Sequence, residues 1–315
     1  MVTFICKRML MIVPIIIIIS LIVFFALRLI PGDPAEVYLR LSKIPPTDEA
    51  IAQARADLGL TKPLYVQYFE WLWKGMHLDF GQSFSTKNAV LSEVFYYFPM
   101  TLNLTCMSVA FIILASVPLG ILSACYSNKW IDHLSRVFAI IGNSMPAFWL
   151  GFLLLYMFSL QLGWLPSGGR GTFSHYVLPT LTLSIPYIAI YTRLLRTSLV
   201  ESMQQPFVLY SRARGLSEKR IMWKHILKHA MLPVVTSFGV SIGYLLGGTI
   251  IVESVFSWPG IGRYFVTAIL NRDYPVIQFY VLFMAIIFSI SNLIVDIISN
   301  YLDPRIRFQD KRRAD

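Results

Sequence analysis

Residues 9–30 read MLMIVPIIIIISLIVFFALRLI, an apolar run whose only polar side chains are Ser20 and Arg28. About 20 helical residues cross the roughly 30 Å of bilayer hydrocarbon, so this stretch is long enough to span a membrane. Comparable runs follow at 102–126, 138–162, 176–193, 232–255 and 276–302. The fold class expected from them is all-α: a polytopic membrane protein of six transmembrane helices, with both termini on one side. The first run follows Lys7 and Arg8 as a secretory signal would, but it is longer than a signal core. No small-x-small cleavage site precedes the turn at 31–34, so it reads as an uncleaved anchor.

Composition agrees. Of the 315 residues, 56% are hydrophobic and 14% charged, against about a quarter charged in soluble domains. The net charge of +10 would suggest nucleic acid in a soluble protein. Topology accounts for it here. With the amino terminus cytoplasmic, 17 basic residues fall on the inner side and 3 in the short outer loops, as the positive-inside rule requires. No nucleic-acid partner is needed. Cys6, Cys106 and Cys125 are odd in number and widely spaced, which excludes a disulfide framework or zinc spacing, and the last two lie in runs that read as buried helix. The five histidines show no metalloprotease pattern, so neither a catalytic residue, a metal site nor a cofactor is expected.

The outer segment after the first span has its own helical punctuation. Ile51, Ala54 and Leu58 repeat at helical spacing after Pro45-Pro46, with Gly59 as a stop. A second helix starts at Pro63 and carries Tyr65, Tyr68, Phe69, Trp71 and Trp73. That aromatic density suits either the headgroup layer or packing against other outer loops.

The segment between the fourth and fifth runs is the most informative. Residues 206–214 read as a short helix, Gly215 as the left-handed residue that ends it, and Ser217 as the cap of a second helix running to about Met231, before Pro233. A rigid docking element would need such punctuation; a generic basic loop would not. His225 and His229, one turn apart between Lys224 and Lys228, read as partner contacts rather than as a metal pair. Within the spans, Gly239, Gly243 and Gly247 form a ridge of small residues that lets another helix come close, for packing or for gating. Asn143, Glu253, Asn292 and Asp296 should face the bundle or an aqueous path, because lipid would penalise them. Glu253 either bonds the turn that follows it or lines an outer vestibule, and Asp296 reads as a partner for a loop arginine.

The stretch YSRARGLS (210–217), followed by HIL (225–227) and Leu232-Pro233, resembles the cytoplasmic coupling loop of the peptide and nickel branch of the ABC importer permeases. LIPGDP (29–34), LDFGQS (78–83) and ESVFSWPGIG (253–262) resemble the same branch, so the likeness runs from end to end. The glutamate and two alanines typical of the wider superfamily correspond to Leu209, Tyr210 and Ser211, while Gly215 keeps its place. The resemblance implies a type I importer fold in the bacterial inner membrane, both termini cytoplasmic. It also implies a second permease subunit, two ABC ATPase subunits and a soluble binding protein outside. Coupling to the ATPase would fall on Arg212, Ala213, Arg214, Gly215, Leu216 and Ser217. Pore or gating candidates are Asn143, Gly239, Gly243, Gly247 and Glu253. The implied organisation is a first transmembrane helix at 1–30, a periplasmic helical region at 31–97, an importer core at 98–304 with its coupling loop at 194–231, and a basic tail at 305–315.

No phosphate-binding G-x-x-x-x-G-K-[ST] occurs, so this chain is not expected to hydrolyse ATP. A membrane enzyme would need a nucleophile with its base, and Gly81-Gln82-Ser83 shows none. A secondary transporter would carry more spans and paired broken helices, and would not need a docking loop. For the solute, YLRLS (38–42), PPT (45–47), YVQY (65–68), WLWK (71–74) and NRDYPVIQ (271–278) resemble the first permease subunit of nickel importers. The expectation is therefore nickel, carried as a chelate because the spans are poor in strong ligands. The alternative is a dipeptide or oligopeptide.

Overall fold

A computed structural model describes residues 2–302, which are almost wholly helical. The helices are α1 (Val2–Leu29), α2 (Pro34–Leu41), α3 (Asp48–Asp57), α4 (Leu64–Met76), α5 (Val90–Cys125), α6 (Trp130–Ser144), α7 (Ala147–Leu154), α8 (Ser174–Met203), α9 (Pro206–Ala213), α10 (Glu218–Ile221), α11 (Leu227–Val255), α12 (Ile261–Asn271) and α13 (Tyr274–Leu302). Wider π turns extend α7 over Leu155–Gln161 and join α10 to α11 over Met222–Ile226. The basic tail at 305–315 lies outside the described residues.

Among the described residues, four helical stretches are long and apolar enough to cross a membrane: Arg8–Leu29, Val90–Cys125, Glu218–Val255 and Tyr274–Ile297. A fifth span exists only if Trp130–Ser144 and Ala147–Gln161 count as one, bent by 107°. The expected count of six spans is not reached by length and composition, for reasons found at two places. Pro146 drives the residue before it out of the helical region, and Met145 adopts φ −81°, ψ 126°, which breaks the expected run at 138–162. The run at 176–193 is helical but lies in α8, whose Thr180, Thr182, Ser184 and Thr192 are buried among other helices. Its polarity is that of a central helix, not of one wrapped in lipid.

The chain forms two compact units. One comprises residues 1–101 and 259–290. Its α2 begins where Asp33 accepts the Ala35 amide at 3.0 Å and Pro34 occupies the first turn, a start signal that the sequence reading passed over. Ala35 and Leu39 of α2 then pack on Ala54 of α3, and Arg55 returns to Asp33 at 2.8 Å. Further along, the buried Asp273 carboxylate accepts the Ser83 hydroxyl at 2.6 Å and the Phe84 and Ser85 amides at 3.1 Å. This ties the LDFGQS loop to the start of α13.

The second unit comprises residues 102–258 and the chain from 291 onward. Here α8 is the hub, with α6, α7 and α11 packed on it. Small residues permit the approach: a Cβ at Gly142 of α6 would meet the Ala189 Cβ of α8 at 3.1 Å. The Tyr191 hydroxyl crosses from α8 to Ser241 Oγ on α11 at 2.5 Å. Cys106 and Cys125 are exposed on α5, not buried as their apolar surroundings suggested.

Candidate functional site

The candidate docking element begins where α8 ends at Met203. Gln205 is extended and Pro206 starts α9, where its missing N–H leaves no bond unmade. The helix stops at Gly215, whose φ of +75° lies in the left-handed region. Its amide donates to the Arg212 carbonyl at 2.9 Å and the Leu216 amide to the Ser211 carbonyl at 3.3 Å. These two bonds are the Schellman arrangement, which closes a helix end by a glycine turn.

Two features depart from the sequence reading. Ser217 occupies the cap position of α10, but its side chain caps nothing. The second helix also does not stop before Pro233, since the helical path continues from Glu218 to Val255 with Pro233 inside α11. Prolines are tolerated in membrane helices where neighbours satisfy the freed backbone groups.

The turn is held by a fork that sequence reasoning missed. Arg212 Nε donates to Glu218 Oε1 at 2.6 Å and Nη2 to Oε2 at 3.1 Å. The hydrogen bond to Glu218 raises the pKa of the Arg212 guanidinium above its ordinary value. Val208, Ser211, Ile221 and Ile226 turn inward and are buried. The opposite side presents Leu209, Tyr210 and Trp223, exposed by 72%, 69% and 55%, among Arg214, Lys219, Arg220, Lys224 and His225. Leu216 is half-buried and Ala213 exposed, so the predicted coupling residues form one contiguous turn. His229 is exposed and its ring lies 5.5 Å from that of Phe207. Among the described residues, no three His, Cys, Asp or Glu side chains converge as a metal site would need.

About two turns before α8 ends, Arg196 reaches a fully buried carboxylate. Asp132 accepts Arg196 Nε at 2.9 Å and Nη2 at 2.8 Å, Ser123 Oγ at 2.7 Å and the Asn128 amide at 2.9 Å. Arg136 adds a contact at 3.2 Å. The network fastens α8 to the α5–α6 hairpin. Its only local signal is the Asp132–Arg136 spacing of four residues; the decisive Arg196 is far away in the chain.

The glycine ridge divides. A Cβ on Gly239 would fall 2.5 Å from Val295 Cγ1 on α13, whereas one on Gly247 meets nothing within 4 Å. Gly243 is buried, Asn143 is exposed, and Glu253 is fully buried while its carbonyl accepts the Trp258 amide at 2.9 Å. Gly239→Ala should therefore lower the thermal unfolding midpoint of the solubilised protein, at a cost of about 1–3 kcal/mol for overpacking. Gly247→Ala should leave that midpoint unchanged or raise it slightly. Equal midpoints for the two variants would contradict this division.

Residues 116–308 match the family described as binding-protein-dependent transport system inner membrane component, and residues 1–105 match the corresponding N-terminal family. The chain belongs to this family. The glutathione transport system permease protein GsiC of Escherichia coli K12 is 40% identical over 310 residues, covering 98% of this chain and 100% of that protein. GsiC of Salmonella typhimurium LT2 gives the same identity and coverage. Among solved structures, an inward-facing MetNI methionine ABC transporter chain aligns with a TM-score of 0.56 at 18% identity, covering 67% of this chain and 96% of that one. An amino acid ABC transporter with histidines aligns at 0.52, with 18% identity and coverages of 68% and 94%. The protein is thus a polytopic inner-membrane permease subunit of an ABC importer, with the type I importer fold. It is not itself an enzyme; ATP hydrolysis resides on a separate subunit.

Proposed function

We propose that this permease admits small peptides of the glutathione class, delivered by a solute-binding protein. The observation that carries this reading is 40% identity to glutathione permeases along essentially the whole chain. Short stretches suggested nickel, but the near full-length likeness to glutathione permeases supports the peptide alternative better. In this reading the permease pairs with a second permease subunit and two ABC ATPase subunits. Both termini and the loop at 194–231 face the cytoplasm, on the strength of the basic-residue asymmetry.

The turn from Arg212 to Ser217 is the coupling element. Its exposed Leu209, Tyr210 and Trp223 would cover themselves on the ATPase, and the surrounding cations would set the register. Among the pore candidates, exposure favours Asn143 and Gly247 as residues that meet the partner subunit or the solute path. The close approach of Val295 to Gly239, and the burial of Gly243 and Glu253, favour these three as internal packing positions. Uptake of labelled glutathione, a labelled dipeptide and radioactive nickel, in cells with and without the gene, tests the solute class. Glutathione or dipeptide uptake should fall with gene loss while nickel uptake stays unchanged. The opposite pattern would restore the nickel reading.

A further inference from the structure

The surface of α4 is divided into three sectors, and the division assigns it a partner. At about 100° per residue, Tyr68, Trp71 and Gly75 share one sector, which faces protein. Tyr68 Oη lies 2.9 Å from Ser20 Oγ of α1, its ring is 5.4 Å from that of Phe24, and Trp71 stands 6.2 Å from Phe24. On one flank of that sector lie Tyr65, Phe69, Trp73 and Met76, each 63–65% exposed. On the other flank lie Gln67, Glu70, Lys74 and His77, with Glu70 paired to Lys62 at 2.6 Å.

The way these flanks meet α1 gives them a direction. Gln67, at the edge of the polar sector, accepts from Arg28 Nη2 at 3.3 Å, one residue from the end of α1 at Leu29. Tyr68, in the protein-facing sector on the side next to the apolar flank, reaches back to Ser20, about 13 Å before that end at ~1.5 Å per residue. The polar flank therefore points out of the membrane along α1, and the aromatic flank points toward its middle. The body of α4 lies beside Phe24, about 7 Å below the end of α1. An amphipathic helix buried at the boundary of headgroups and acyl chains sits at this depth, about 5–10 Å. Tyr and Trp are the residues favoured there.

We propose that α4 is an interfacial membrane helix whose Tyr65, Phe69, Trp73 and Met76 are solvated by lipid at the membrane face where α1 ends. The exposed apolar surface of α1, including Ile22 and Ile18 about 10–16 Å before its end, continues deeper from that level and is lipid-facing by its composition. A protein partner would not require the polar and apolar flanks to follow the direction of α1; a bilayer does. The assignment is independent of the solute.

Nitroxide labels at Phe69→Cys and at Glu70→Cys, with Cys6, Cys106 and Cys125 replaced by serine, test it. The assembled complex is reconstituted in vesicles of phosphatidylethanolamine and phosphatidylglycerol. Oxygen, which concentrates among acyl chains, should relax the label at position 69 several-fold more effectively than aqueous chromium oxalate, with the order reversed at position 70. A label at 69 that prefers chromium oxalate would place α4 in water and overturn the proposal. A label closed to both would show a protein covering this face, and would overturn it equally. Trp73→Cys provides the same reading if the Phe69 variant does not assemble.

Discussion

Gly215→Val should leave the permease in the membrane and abolish transport. The backbone at this position has φ +75°, and a Cβ there would meet nothing within 4 Å, so the penalty is conformational and not steric against a neighbour. Left-handed backbone costs an ordinary L-residue roughly 1–2 kcal/mol, with β-branched residues worst. A turn held by two backbone bonds and one exposed fork has little with which to oppose that cost. Relaxation to negative φ would separate the Leu216 amide from Ser211 and swing Glu218 away from Arg212. The aromatic and cationic face offered by Tyr210, Arg214 and Trp223 would then lose its register. Gly215→Asn, which tolerates the left-handed region, should retain much of the activity. Co-purification with the ATPase, together with solute-stimulated ATP hydrolysis in vesicles, measures the loss. A valine variant that transports like the native protein would remove Gly215 from the coupling role.

What the sequence made legible was local. A glycine after an amphipathic turn announces a helix end, and the apolar runs announce helices because lipid leaves the backbone no other solution. Signals failed where a distant contact decided the outcome. Met145-Pro146 breaks a run that hydropathy treats as continuous, and Pro233, a stop in water, lies inside a membrane helix. The polarity of α8, which the count of apolar runs passed over, has its reason in helices from elsewhere in the chain that bury Thr182 and Ser184. The aromatic α4 left two environments open until its contacts with Ser20 and Arg28 gave it a direction. Against short words that resemble nickel permeases stands 40% identity to glutathione permeases along nearly the full chain, which favours the peptide alternative.

The same limit hid the network that should give the largest stability loss on mutation. Asp132→Ala removes the acceptor for both arms of the Arg196 fork and leaves a guanidinium whose side chain is only 20% exposed. Breaking a buried pair by removing one partner costs about 3–5 kcal/mol, mostly from the stranded charge. Arg196→Lys, which cannot make the planar double bond, should cost less but remain measurable. The informative variant is the double one. With Asp132 and Arg196 both replaced by alanine no charge is stranded, so it should be less damaging than Asp132→Ala alone, despite removing more atoms. Thermal unfolding midpoints of the solubilised permease and its yield in the membrane supply the comparison. If the double variant instead showed the sum of the losses of Asp132→Ala and Arg196→Ala, the two residues would be acting independently. The fastening of α8 to the α5–α6 hairpin would then rest on the helix packing at Gly142 and Ala189, with the ion pair incidental to it.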